Sequence, residues 1–189
     1  MNDYGQGTTA TLPTVVKPGE VVPVQLPLTW KGHVQRGNIQ PATWVEFQIQ
    51  DQDPIVPNYH PCHGAHGDVS LEQGYDGPAS FASTDAPGTY YGGQWNGFTT
   101  NILAAAPAAA KVKRPDGVET MQTTLGSWAA PANQPAGDYE WNLPIDPKDA
   151  AFSNPLLKEK WLRAAAYVRG GTGVPDVGSC NNILQVTFY

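Results

Sequence analysis

Apolar and polar residues alternate over several short stretches of this chain, the pattern of strands with one buried face. In "VVPVQLPLTW", Val22, Val24, Leu26 and Leu28 recur at period two. Pro23 and Pro27 share the opposite parity, so both missing N–H donors fall on one side, which predicts an edge strand. "ATWVEFQIQ" sets Val45, Phe47 and Ile49 against Glu46, Gln48 and Gln50. "AKVKRPDGVETMQTTL" predicts a hairpin turning at "RPDG", because proline suits the first central turn position and Asp-Gly the bend after it. "AGDYEWNLPID" alternates Tyr139, Trp141, Leu143 and Ile145 against Glu140, Asn142 and Pro144, and the chain ends on a further alternating stretch, "NILQVTFY".

Two segments depart from this pattern. "SNPLLKEKWLRAAAYVRGG" offers Ser153 or Asn154 as a helix cap and Pro155 for a first turn, which predicts a short helix near 155–160. A strand is expected to follow at about 161–169. From about 51 to 100 alternation is not sustained, and Gly, Asp, Ser, Pro, Tyr and Trp crowd together; a long irregular loop region is expected there. Short strands separated by Gly/Pro turns point to an all-β fold, an antiparallel β-sandwich of jelly-roll type. Residues 1–20 are polar, rich in Gly and Thr and end in "KPGE", so they read as an extended N-terminal arm. Residues 21–189 read as a single sandwich domain.

Composition supports this outline and removes several functions. Of 189 residues, 20 are Gly and 18 are Pro, too many turn formers for a helical bundle; 40% are apolar, too many for a disordered chain. The net charge of −6 argues against a nucleic-acid binder, which needs a basic face to neutralise phosphates. The groups Lys111, Lys113, Arg114 and Lys158, Lys160, Arg163 read as solvated strand or turn faces. No apolar run approaches the length that spans a membrane. The opening "MNDYGQGTTATLP" carries neither the charged nor the apolar region of a secretory signal, so a particle assembled in the cytoplasm is the expected setting.

The densest chemistry lies in "NYHPCHGAHGD", which holds His60, Cys62, His63, His66 and Asp68. Three imidazoles at spacings of three are the chain's best candidate for a metal ion, with Asp68 or Glu72 as an accompanying carboxylate. Against this, Pro61, Gly64 and Gly67 disfavour a helix that would align them, and the spacing matches no zinc signature. A polar loop with hydrogen-bonded histidines is the simpler reading, and no cofactor is expected. Cys62 as a nucleophile would need a base oriented by a third group, and nothing around it supplies one. Cys62 and Cys180 form the one candidate disulfide; closing so long a loop would contribute about 4 to 5 kcal/mol in the chain-entropy model, with two buried thiols as the alternative.

"GTYYGGQWNGF" gathers Tyr90, Tyr91, Trp95 and Phe98 among glycines. Such aromatics serve a core, a subunit interface or a platform on which a sugar ring stacks. The carboxylate pairs Asp51/Asp53 and Asp146/Asp149 sit in turn contexts where aspartate has backbone reasons to occur. No phosphate loop, dinucleotide fingerprint, nucleophile elbow or HExxH sequence is present, so no catalytic residue is assigned. The expected function is a non-enzymatic, self-assembling coat or decoration subunit of a virion, partnered by copies of itself or by other coat proteins. A carbohydrate-binding module and a small metal-dependent β-barrel enzyme using the three histidines are the alternatives.

Overall fold

The computed structural model describes residues 15–49, 64–86, 94–125, 132–152, 160–169 and 177–189. His60, Cys62, His63, Tyr90, Tyr91 and the helix expected near 155–160 lie outside them. The described chain is mostly strand, and every ladder is antiparallel. One sheet has the order β1 (Lys31–Val34), β2 (Trp44–Gln48), β3 (Ala65–Ser70), β9 (Val177–Ser179). The other runs β10 (Leu184–Phe188), β4 (Ala79–Ser83), β5 (Trp95–Phe98), β8 (Ala150–Ala151). A separate hairpin joins β6 (Lys111–Lys113) to β7 (Glu119–Met121). One α-helix, α1 (Gln134–Asn142), completes the set with two short 3-10 turns.

The sheets pack face to face through the residues that the alternation marked. Val45, Phe47 and Ile49 turn inward from β2 and its end, and Phe47 meets Phe81 of β4 with ring centroids 5.5 Å apart. Val69, Leu71, Tyr75, Phe98 and Met121 extend the same core. A jelly roll passes its strands back and forth between two sheets. Here β1, β2 and β3 follow one another within one sheet, so a sandwich is formed without that alternation among the described residues.

The hairpin at "RPDG" forms as expected: the Arg114 N–H donates to Val118 O, and Gly117 takes the positive φ of 86° that the bend requires. Elsewhere the structure corrects the pattern. Residues 51–100 are not one irregular loop, because β3, β4 and β5 all fall within them. β4 has no polar face left to alternate, since four of its five residues are buried, whereas β3 does alternate but sets only Ala65, Gly67 and Val69 inward, too weak an apolar row to mark a strand. Gly97, inside β5, has φ +116°, and a Cβ there would run into Ala79 O and Ser80.

The stretch "AGDYEWNLPID" is largely helix rather than strand. Asn133 caps α1 by accepting from the Ala136 N–H at 2.8 Å, Pro135 occupies the first turn, and the buried residues Ala136, Gly137 and Glu140 follow helical spacing. Residues 161–169 are not a strand either: a 3-10 turn at Leu162–Ala164 lies between single bridges at Trp161 and Tyr167. The edge strand expected at 22–28 forms no ladder among the described residues. Leu26 packs against the core while Val24 and Leu28 stay exposed.

Candidate functional site

Three places in the fold concentrate polar or unfinished chemistry. At one, Asp76 is tied to two arginines. Its Oδ1 accepts from Arg36 Nη1 and its Oδ2 from Arg114 Nη1, both at 3.1 Å, and the Asp76 side chain is only 2% exposed. The Thr43 N–H donates to the same carboxylate. Arg114 goes on to Ile39 O, Pro41 O and Asp116, while Arg36 reaches Pro78 O and Tyr189 O. Arg114 is therefore buried and paired, not part of a solvated basic face. The cluster pins the chain's end to the loop before β4 and to the β6–β7 hairpin, a structural clasp.

The second place is a set of carboxyl groups. In the register of the first sheet, His33 of β1, Glu46 of β2 and Asp68 of β3 stand in one row on the face turned away from the core. His33 lies flat on Trp44, with centroids 3.7 Å apart and planes 5° from parallel. Its cover from water holds the imidazole pKa below the usual value despite a hydrogen bond with Gln35 that acts the other way. Burial raises the pKa of Glu46, and a hydrogen bond with Ser70 opposes the rise. Glu72, just beyond β3, is pushed up to about 7, first by burial and then by the charge of Glu46. Glu140 of α1 is 0% exposed, and neither carboxyl oxygen has a hydrogen-bond partner. Burial, then the charge of Glu72, drives its pKa well up, which favours the neutral acid over the carboxylate.

Such paired, shifted carboxyls resemble the requirement for acid–base catalysis. Glu140, however, is sealed, and a group that reaches no solvent reaches no substrate. As they stand, these carboxyls couple the fold to pH. Sequence reasoning named Glu72 only as a metal partner and missed Glu140. The signal lay in reading "NQPAGDYE" as a capped helix, which turns Glu140 inward four residues after Ala136.

The sequence candidates scatter. His66 sits on β3 with Nδ1 3.4 Å from Gln48 Nε2. Among the described residues no group of three or more His, Cys, Asp or Glu is arranged to hold a metal ion. Cys180 is disulfide-bonded, and Cys62, the chain's other cysteine, lies outside the described residues. Asp85 steadies the turn around Cys180 by accepting from the Cys180 and Asn181 N–H groups. Phe98 is fully buried, 6.0 Å from Tyr75 between centroids, so its side chain belongs to the core and not to an interface or sugar platform. Trp95 is half-buried at the start of β5.

The third place is an unfinished surface. Val15, Val16, Val21, Val24 and Leu28 are exposed along the extended segment before β1, with Val21 at 84%. Ile183 and Tyr189 are exposed at the two ends of β10, at 59% and 53%. No helix among the described residues is long and apolar enough to cross a membrane. No protein-family model and no curated protein matches the chain.

Proposed function

We propose that this protein is a self-assembling structural subunit, of the coat or decoration class of a virus particle, whose partners are further copies of itself. The observation that carries this reading is the row of apolar side chains between Val15 and Leu28, largely exposed and outside the strands of the sandwich. A soluble monomer gains nothing from presenting a row of valines to water, whereas a subunit gains their burial when a neighbour covers them. The clasp around Asp76 favours the same role, since it makes the sandwich a firm unit on which an arm can be mounted. Function as a virion component rests on this assembly logic together with the arm and sandwich architecture.

Native mass measurement with electron microscopy of the purified chain tests the proposal. Closed oligomers or shells are the expected result. A chain that stays monomeric and binds glycans would replace this reading with the carbohydrate-binding one.

A further inference from the structure

We propose that the arm segment 21–25 of one copy adds as a fifth strand to the open edge of β10 in a second copy. This inference rests on the self-assembly reading and gives it a specific contact. Within a strand, a residue's N–H and C=O point to the same side and alternate from residue to residue. In β10 the odd residues face β4: the Tyr189 N–H donates to Pro78 O, and Ile183 O accepts from the Thr84 N–H. Leu184, Val186 and Phe188 therefore direct their N–H and C=O groups away from the sheet, where no strand follows among the described residues. Their side chains turn toward the core but stay only half-buried, as at a layer that lacks its outermost member.

The arm matches this edge from the other side. Pro23 removes a donor from the odd row of the arm, so the odd side cannot complete a ladder. The even row, Val22 and Val24, keeps both donors and acceptors. No hydrogen bond within the chain uses the backbone of residues 21–25. Docked by its even row, the arm can lay Val22 and Val24 over the half-buried core face of β10 and leave Pro23 toward water. Leu26 is packed on its own sandwich and serves as the tether. β10 is also the edge best suited to receive it. It has five residues and neither charge nor proline, whereas β1 carries Lys31, β9 has three residues and β8 two. Uncharged open edges without proline are the ones that recruit strands from other chains.

Proline placement separates the two rows. Val24→Pro removes a donor that faces the neighbour; Gln25→Pro removes one from the row that already lacks them. Both keep the arm extended and both leave the ladders of the sandwich untouched, which a thermal melt verifies. The expected result is that Val24→Pro raises the concentration for half-assembly about five- to tenfold, while Gln25→Pro leaves it near wild type. Equal effects of the two variants, or none from Val24→Pro in a wild-type chain that assembles, overturn the strand-addition contact and leave the assembly reading standing. A wild-type chain that never assembles overturns both.

Discussion

The surroundings of Asp76 and the strip formed by the arm and β10 are made from the same kinds of polar group and finished in opposite ways. Around Asp76 the chain answers its own charges: two carboxylates, two guanidinium groups and several carbonyls close on each other, with Asp76 and Arg114 nearly out of water. Along residues 21–25 and the outer side of β10, backbone donors and acceptors face solvent and the apolar side chains beside them stay partly bare. A sealed group without a partner is costly, while a hydrated backbone group costs little. The first region therefore bears on whether one chain stays folded, and the second is where the proposed contact between copies would form. The carboxyl set of Glu46, Glu72 and Glu140 falls between them, enclosed like Asp76 but without a cation among the groups that shift it.

Asp76→Ala is the most severe way to test that contrast. It removes the carboxylate that ties Arg36 to Arg114, while Arg114 keeps Asp116 and two carbonyls, and is expected to lower the unfolding free energy by about 2–3 kcal/mol. Urea denaturation measures it; a loss below ~1 kcal/mol would show that the clasp is not what holds the chain's end.

The pH dependence of stability comes next. Glu72 has a folded pKa of about 7 against an ordinary value of 4.5, so the folded chain binds more protons than the unfolded one between those values. Stability from this group is full below about pH 4.5, falls as the pH rises to about 7, and changes little above it. The raised pKa values of Glu46 and Glu140 act in the same direction. Melting temperatures across this range should decline in the wild type and flatten in Glu72→Gln. A decline that persists unchanged in the variant would place its origin elsewhere.

Glu140→Gln should then be mild, within about 1 kcal/mol at neutral pH, because an amide replaces a group whose neutral form is already favoured. A large loss by urea denaturation would mean that the acid is ionised and paired. The smallest effect on the single chain belongs to the arm: Val21→Ser should leave its stability within ~0.5 kcal/mol by the same method, since the side chain is already in water.

How far the sequence could be read follows from how each element meets water. β2 and β10 were legible because one face is buried and the other is not, and the β6–β7 hairpin because its turn chemistry is local. β4 and β5 were not, because burial on both sides erases the alternation, and β3 was not because its inward row, Ala65, Gly67 and Val69, is only weakly apolar. Over 139–145 the apolar residues happen to alternate, yet the Asn133 cap and Pro135 make a helix of residues 134–142. The carboxyl set was the least legible feature: Glu46 lies in the middle of β2, Glu72 just beyond β3 and Glu140 in α1, and only the folded chain makes them neighbours. Glu46 was read correctly as turned away from the core, but its electrostatic coupling to Glu72 depends on tertiary placement. The parity of Pro23 and Pro27, by contrast, pointed to an edge strand, and residues 22–28 form no ladder among the described residues.

The central claim is that one chain is an incomplete object, finished by its copies. A dilution series of the full-length protein in sedimentation velocity, at fixed pH and ionic strength, tests it most directly. The account predicts a discrete multimer that dissociates to folded monomers as the concentration falls. A single monomeric species at every concentration, with the arm's valines left bare, would contradict it.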